Sequence, residues 1–305
     1  MKKLKMENQA GYLPPDILEV ISGALDVETG GIRDIMALKK GMTNSSFLFT
    51  CNGKKYIIRI PGKGTDKLIN RQEEAAVYQA VSGRHICDEI VYLDSERGYK
   101  ITEFLEGARV CNPYDRTDLI RCMAKLRAFH SLELSVAHGF DLFGQIRFYE
   151  SLWAGMDSAY TDYADTRNRV LELERYICSH VEKKVLSHID AVPDNFLIAG
   201  SGVRLIDWEY AGMQDPHVDI AMFCIYSLYT RHQVDDLIDL YFLERCPEAI
   251  RIKIYAYIAV CGLLWSNWCE YKRKLGTDFG EYALRQYSFA RDYEKIVREK
   301  IPGRR

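Results

Sequence analysis

The segment HIDAVPDN at residues 188–195, followed by LIDWE at residues 205–209, decides which fold this chain adopts. The first segment spaces three polar residues as H-x-D-x4-N, and Asp207 in the second ends a predicted β-strand. Pro193 prevents a helix from continuing through the first segment, because proline lacks an amide donor and fixes φ. We therefore expect a turn that directs the Asn side chain back toward the Asp.

This pattern is typical of phosphoryl transfer from a magnesium-bound nucleotide. One carboxylate accepts the proton of the attacking hydroxyl, while an amide oxygen and a second carboxylate hold the Mg²⁺ that bridges the phosphates. We predict that Asp190 is the catalytic base and that Asn195 and Asp207 are the metal ligands. Any single Asp could instead cap a turn or end a strand, so the prediction depends on the joint pattern in its order along the chain.

The first hundred residues predict a small antiparallel β lobe. Asn52-Gly53 separates two β-branched runs and is the strongest hairpin signal in the chain, because both residues tolerate positive φ. A helix over 65–81 and a second hairpin formed by 89–93 and 99–104 follow, which gives the order β-β-α-β-β.

From about residue 115 onward, apolar residues recur every three or four positions, which predicts helices. A hairpin across residues 200–202 interrupts them. We therefore predict an α+β, bilobal architecture with a small antiparallel β lobe containing one helix over 1–105 and a larger, mainly helical lobe over 106–305. The hinge is expected at about 102–112.

Composition excludes several classes of protein. The 305 residues carry 41 Lys and Arg against 43 Asp and Glu, which gives a net charge of −2. Such a chain has no positive electrostatic field to attract nucleic acid, so we expect no nucleic-acid partner. A hydrophobic content of 48% excludes disorder. The nine cysteines form no C-x-x-C pair, which favours free thiols in a reducing cytoplasm. The longest uncharged apolar stretch, 255–265, is shorter than the ~20 residues that span a bilayer, so we expect a buried helix and no membrane insertion.

The catalytic segment resembles that of the choline/ethanolamine kinase and aminoglycoside phosphotransferase superfamily, which shares the protein-kinase fold. Within it, GMTNSSF at 41–47 and IDWEYAG at 206–212 are similar to the choline kinase branch, especially the bacterial LicA type. The resemblance extends from about residue 32 to about 290. It implies a bilobal kinase fold, ATP as co-substrate and Mg²⁺ as the metal.

The resemblance also implies a nucleotide site. Arg59 stands where protein kinases carry the phosphate-pairing lysine, and its guanidinium suits a bidentate oxyanion contact. Glu74 is its expected partner, although the neighbouring Glu73 leaves that choice open. The remaining nucleotide-binding residues are expected in the first turn of the hairpin, over residues 41–46, and at the hinge: Gly41, Thr43, Asn44, Ser45, Glu103, Phe104 and Leu105. The loop could alternatively be an ordinary turn.

A quaternary ammonium such as choline can be recognised through aromatic faces and nearby carboxylates. Trp265 and Trp268 lie three residues apart on one helical face, and the resemblance implies that they form the cation pocket with Glu209 and Tyr210. A tryptophan pair at helical spacing could equally be core. The resemblance further implies that Asp219 braces the catalytic loop, and we assign His188 to the same bracing shell.

Departures from protein kinases indicate a small-molecule acceptor. HID replaces H-R-D, DWE replaces D-F-G, and no A-P-E segment follows. The predicted reaction is transfer of the γ-phosphoryl group of ATP to the choline hydroxyl. Ethanolamine or an aminoglycoside remains open as the acceptor. Two other classes remain open, a nucleotide-binding pseudokinase scaffold and a metal-dependent phosphohydrolase. The sequence does not determine the oligomeric state.

Overall fold

The computed structural model describes residues 13–38, 44–62 and 68–301. Their contacts divide the chain into two compact units. The first unit comprises the residues up to Arg109 together with Leu197–Tyr210, and the second comprises Val110–Phe196 and the chain from Ala211 onward. The functional division at residue 105 stays a prediction.

The first unit is built on a five-stranded antiparallel sheet in the order β1-β2-β3-β5-β4. Its elements are α1 (Pro15–Leu25), β1 (Arg33–Ala37), β2 (Asn44–Cys51), β3 (Lys54–Pro61), α2 (Arg71–Val81), β4 (Ile90–Leu93) and β5 (Lys100–Glu103). Positive φ at Asn52 and Gly53, of 49° and 74°, closes the predicted β2–β3 hairpin. The structure adds α1 and β1 to the predicted order.

Two local features set the boundaries of the helices in this unit. Ile17 and Ile21, one turn apart on α1, are buried against Phe49 and Ile58 of the sheet. The second helix, α2, begins at Arg71, and the expected start at residue 65 lies outside the described residues. The preceding Asn70 caps it, because its side chain accepts hydrogen bonds from the amides of Gln72 and Glu73 at 3.1 and 3.3 Å.

The hairpin of β8 (Phe196–Ala199) and β9 (Gly202–Leu205) matches the prediction across residues 200–202. The sequence placed this hairpin in the helical lobe, whereas Leu197–Tyr210 groups with the first unit. The segment groups with the first unit because the amide of Leu205 donates to the carbonyl of Ile86, a residue of that unit, at 2.8 Å. The short strand β6 (Arg109–Val110) lies where the first unit meets the second along the chain.

The second unit is mainly helical, so the expected α+β class is confirmed. Its helices are α3 (Arg116–His130), α4 (Leu142–Trp153), α5 (Tyr163–Leu171), α6 (Leu173–His180), α7 (His217–Tyr226), α8 (Arg231–Phe242), α9 (Glu248–Lys274) and α10 (Glu281–Lys300). A small antiparallel pair, β7 (Val185–Ser187) with β10 (Gly212–Gln214), adds β structure that the sequence did not predict.

The core of this unit is α9, a helix of 27 residues. Among the described residues it is the one helix long and apolar enough to cross a membrane, but 78% of its apolar window is buried inside the protein. The stretch 255–265 is thus a buried helix, as predicted. Gly262 lets α10 approach closely, because a Cβ there would lie 2.8 Å from the Gln286 carbonyl oxygen.

Candidate active site

Arg59 of β3 and Glu74 of α2 form a buried bidentate ion pair. Nη1 and Nη2 of Arg59 donate to the two carboxylate oxygens of Glu74 at 2.5 and 2.7 Å. Burial alone would raise the pKa of Glu74, but its hydrogen bonds and ion pair with Arg59 outweigh burial and lower it to about 2. Glu73, by contrast, is exposed. The geometry therefore pairs Arg59 with Glu74.

Arg71, at the start of α2, is a second buried arginine in this cluster and was missed by the sequence analysis. Its Nη1 donates to Glu74 Oε2 at 2.8 Å and to Glu209 Oε2 at 3.2 Å. The i,i+3 spacing of Arg71 and Glu74 was an available signal for the first contact. Nothing local indicated the second, because Arg71 and Glu209 are 138 residues apart.

Asp207 follows β9 in the left-handed region, with φ at 66°. Such a conformation in a non-glycine residue is strained and persists only where the surroundings enforce it. Its Oδ1 accepts from Arg59 Nη1 at 3.3 Å, and its side chain is 35% exposed. Trp208 is fully buried, with Nε1 donating to the Leu205 carbonyl at 3.0 Å. The Arg59 contact therefore brings Asp207 to the ion-pair cluster.

Glu209 lies in the same cluster. Asn44 Nδ2 donates to its Oε2 at 2.9 Å, and Arg71 donates to the same atom. Burial, followed by the charge of Asp207, raises the pKa of Glu209. The sequence assigned Glu209 and Tyr210 to the acceptor. In the structure the Glu209 carboxylate contacts the arginines and Asn44, and Tyr210 is half-buried.

In the second unit, Asn195 contacts Asp190 as the sequence predicted. Its Nδ2 donates to the Asp190 carbonyl at 2.9 Å and to Asp190 Oδ2 at 3.1 Å. A 3₁₀ turn over Pro193–Asn195 brings the amide back toward the carboxylate. Because the amide nitrogen is used in this way, Oδ1 is the Asn195 atom with the chemistry of a hard-cation ligand.

Asp219 holds the backbone that precedes Asp190. Its Oδ2 accepts from the amide of His188 at 2.9 Å, and its Oδ1 accepts from that of Ile189 at 2.7 Å. Ile189 has φ at 67°, so the two bonds maintain a strained backbone. The His188 side chain is fully buried. The geometry is that of a carboxylate bracing the loop.

His130 of α3 extends this brace and was missed. Its Nε2 lies 2.9 Å from Asp219 Oδ2, and its Nδ1 lies 2.8 Å from the Tyr241 hydroxyl. It is buried in the core of the second unit. No local pattern could have identified it, since it lies 89 residues from Asp219.

The two tryptophans of α9 differ in exposure. Their rings meet edge to face with centroids 5.5 Å apart. Trp265 is half-buried, and its Nε1 contacts Met222 Sδ at 3.4 Å. Trp268 is only 1% exposed and packs on Phe279 with centroids 5.1 Å apart. Trp265 is therefore the more accessible of the two rings, and Trp268 packs as a core residue.

The helix that carries these tryptophans is braced from two other helices. Asn267 Oδ1 accepts from Trp153 Nε1 at 2.9 Å and from the Tyr163 hydroxyl at 2.7 Å. At the 3₁₀ turn over Pro193–Asn195, the Tyr226 hydroxyl donates to Asp194 Oδ2 at 3.0 Å. No local pattern in the sequence indicated these contacts, because each joins residues distant along the chain.

Five of the remaining expected nucleotide residues are described, and they lie at the start of β2 and at or just after the end of β5. Asn44 and Ser45 begin β2, whereas Gly41 and Thr43 lie outside the described residues. At the end of β5, the amide of Glu103 donates to the Glu89 carbonyl at 3.0 Å. The amide of Phe104 donates to the Lys55 carbonyl at 3.0 Å, and the Leu105 carbonyl accepts from Ala108 at 3.2 Å.

Comparison with known proteins gives consistent matches. The model of the choline/ethanolamine kinase family matches residues 35–237. Protein LicA of Haemophilus influenzae is 28% identical over 268 residues, which cover 82% of this chain and 77% of that protein.

Solved structures match as well. The choline kinase LicA from Streptococcus pneumoniae is 30% identical, with a TM-score of 0.79 over 92% of this chain and 98% of that one. A structure of LicA in complex with AMP is 28% identical, with a TM-score of 0.77 over 94% of this chain and 100% of that one. The fold and the family are therefore shared over most of the chain.

Proposed function

Because the chain belongs to the choline/ethanolamine kinase family, and is thus a phosphotransferase acting on an alcohol, we propose that its acceptor is choline. The reaction moves the γ-phosphoryl group of ATP to the choline hydroxyl and yields phosphocholine. Use of ATP is supported by the AMP complex of the related LicA. Support for choline comes from the 30% identity to a choline kinase.

One observation carries the assignment of phosphoryl transfer. Arg59 Nη1 contacts both Glu74 and Asp207, at 2.5 and 3.3 Å. A guanidinium oriented by one buried carboxylate and shared with a second, partly exposed one is suited to bind phosphate oxygens beside a metal ligand. We therefore assign Arg59, oriented by Glu74, to the nucleotide phosphates.

The proposed base is Asp190. Its carboxylate accepts a hydrogen bond from the acceptor hydroxyl and orients that oxygen for in-line attack. It takes the hydroxyl proton as the new P–O bond forms, while the bond from the γ-phosphorus to the β–γ bridging oxygen breaks and ADP leaves. Asn195 limits the rotation of Asp190 through its Nδ2 contact at 3.1 Å. Asp219 fixes the preceding backbone. Most of the acceleration then comes from positioning and charge neutralisation.

We propose Asn195 Oδ1 and the Asp207 carboxylate as the magnesium ligands, because both are hard oxygen donors. Held by these two residues, a magnesium ion would supply positive charge that offsets the charge of the phosphates. Within residues 13–38, 44–62 and 68–301 no group of three His, Cys, Asp or Glu side chains is placed to hold a metal. Two protein ligands are nevertheless enough for Mg²⁺, which commonly completes its shell with phosphate oxygens and waters.

The loop residues Gly41, Thr43, Asn44 and Ser45 are proposed to approach the phosphates, and the backbone of Glu103–Leu105 the purine. We accordingly propose 1–105 as the nucleotide lobe and 106–305 as the catalytic and acceptor lobe, with the hinge at 102–112.

We propose that Trp265 makes the main aromatic contact with the cation of the acceptor, because its side chain is more exposed than that of Trp268. Glu209 and Tyr210 are also proposed to contribute to binding of the acceptor.

The deciding experiment measures MgATP-dependent phosphorylation of choline, ethanolamine and kanamycin in parallel. We expect kcat/KM for choline to exceed that for ethanolamine by about tenfold or more, since only the quaternary ammonium needs an aromatic contact in place of hydrogen bonds. Preference for ethanolamine or kanamycin would overturn the assignment of choline as acceptor, whereas the assignment of kinase activity would stand. ATP binding without turnover of any acceptor would favour the pseudokinase scaffold.

A further inference from the structure

We propose that Arg71 is a positioning residue for the ATP phosphates, acting by keeping the Glu209 carboxylate on its own guanidinium so that Glu209 does not displace Glu74 or the phosphates from Arg59. The steps assigned above make no use of Arg71. The inference rests on the proposed function only in requiring ATP-dependent phosphoryl transfer, whichever amino alcohol accepts the group.

Arg71 is placed to separate two carboxylates. Its Nη1 donates to Glu74 Oε2 at 2.8 Å and to Glu209 Oε2 at 3.2 Å, while Nη2 lies 3.5 Å from Asn44 Oδ1. The side chain is 8% exposed. These contacts join the first residue of α2 to the start of β2 and to the segment that follows β9. Arg71 therefore connects three elements around Arg59.

The charges of the cluster show why a second arginine is needed. Two guanidinium groups face three carboxylates, and Arg59 Nη1 lies 2.5 Å from Glu74, 3.3 Å from Asp207 and 3.7 Å from Glu209. A buried carboxylate that loses its cation is strongly destabilised. Without Arg71, Glu209 would therefore compete for Arg59 and turn the guanidinium away from Glu74 and from the phosphates.

The backbone makes room for Arg71 in this place. A Cβ on Gly98 would lie 2.6 Å from Arg71 Nε and 2.9 Å from Pro61 Cγ, and Gly98 adopts φ of 77°. The Gly98 carbonyl also accepts from Arg59 Nη2 at 3.4 Å. The same turn thus lies against one arginine and hydrogen-bonds the other, which fixes the two relative to each other.

The test compares Arg71→Met with Arg84→Met. Arg84 lies just beyond α2, is exposed, and donates to the Ala80 carbonyl at 3.1 Å. The control variant therefore replaces an arginine by methionine at a position away from the buried arginines and carboxylates. We expect Arg71→Met to raise KM for MgATP about tenfold and to raise KM for the acceptor by clearly less. Arg84→Met should match the parent. Equal increases in both KM values, or none in a folded Arg71→Met variant, would overturn the proposal.

A double-mutant cycle tests the route through Glu209. If Glu209 captures Arg59 once Arg71 is gone, Glu209→Gln in the Arg71→Met background should recover part of the loss in ATP affinity, and the two changes should be non-additive. Additive losses would contradict this route. Should Arg71→Met fail to fold, Arg71→Lys serves in its place, because an ammonium keeps the charge but lacks the planar fork of donors that reaches Glu209 and Asn44 together.

Direct titration of MgADP, without any acceptor, separates this inference from the choline assignment. We expect about tenfold weaker binding to Arg71→Met than to the parent and to Arg84→Met. This result does not depend on which alcohol is phosphorylated. If nucleotide affinity is unchanged in Arg71→Met, the positioning role fails even where choline is the acceptor.

Discussion

The Asp219 carboxylate accepts a hydrogen bond from the backbone amide of Ile189, with Oδ1 2.7 Å from the amide nitrogen. Ile189 stands directly before Asp190 and adopts φ of 67°. A strained backbone next to the proposed base is thus maintained by one fully buried carboxylate. The orientation of Asp190 depends on this contact, because nothing in the local sequence favours a left-handed isoleucine.

Asp219→Asn tests that dependence. An asparagine of the same shape offers only one oxygen to the two amides and directs an NH₂ group at the other, so the loop should shift. We expect kcat to fall about 100-fold, with a loss of about 1–3 kcal/mol in unfolding free energy. Steady-state kinetics and denaturant unfolding measure both. An unchanged kcat would show that Asp219 does not set the position of Asp190.

Asp190→Ala should remove turnover and leave nucleotide binding intact. The variant loses the group that takes the hydroxyl proton, so kcat is expected to fall by about 10³-fold, while MgADP affinity stays within about twofold. Exposed Asp292 on α10 supplies the control variant Asp292→Ala, which should be fully active. Near-normal turnover by Asp190→Ala would refute the assignment of the base.

The two tryptophans should respond differently to truncation. Trp265→Ala is expected to raise KM for choline about tenfold through loss of a cation–π contact, with KM for MgATP unchanged. Trp265→Phe should retain most of the choline affinity. Trp268→Ala should instead cost about 3–5 kcal/mol in stability, because that ring is 1% exposed. The reverse pattern would assign the cation contact to Trp268.

A buried ion pair predicts an acid-sensitive stability. Lys253 and Asp215 lie 2.6 Å apart, and both side chains are 1% exposed. Burial raises the pKa of Asp215, but its contacts with His217 and Lys253 outweigh burial and lower it from 3.8 to about 2.

Because the folded pKa is depressed, the stabilisation is present above the unfolded value near 4 and is lost as pH falls toward about 2. The contribution at neutral pH is about 2 kcal/mol. Urea unfolding between pH 7 and pH 2 measures it. Asp215→Asn should flatten this part of the profile, and an equally steep profile in that variant would exclude Asp215 as the cause.

Gly262→Ala should destabilise the second unit. The added Cβ would lie 2.8 Å from the Ala290 amide nitrogen and 2.9 Å from Phe289 Cβ, so α10 must move away from α9. We expect a loss of about 1–3 kcal/mol. Gly23 in α1 has nothing within 4 Å of such a Cβ, and Gly23→Ala should be neutral or slightly stabilising. Equal effects of the two changes in thermal unfolding would contradict the packing argument.

Local signals in the chain predicted much of the fold and part of the site. Asn52-Gly53 formed its hairpin because positive φ is a property of those two residues. The H-x-D-x4-N segment brought Asn195 to Asp190 because a proline turn acts over a few residues. Such features depend on backbone sterics and neighbouring hydrogen bonds, so they can be identified without knowledge of the rest of the molecule.

The partners of the buried charges were decided by tertiary structure alone. Local sequence did not distinguish Glu73 from Glu74 as the partner of Arg59, and it did not indicate that Arg71 meets Glu209 or that His130 meets Asp219. A carboxylate selects its partner by the desolvation that surrounds it and by the cations that other segments bring within about 4 Å. Both quantities exist only after distant parts of the chain have packed together.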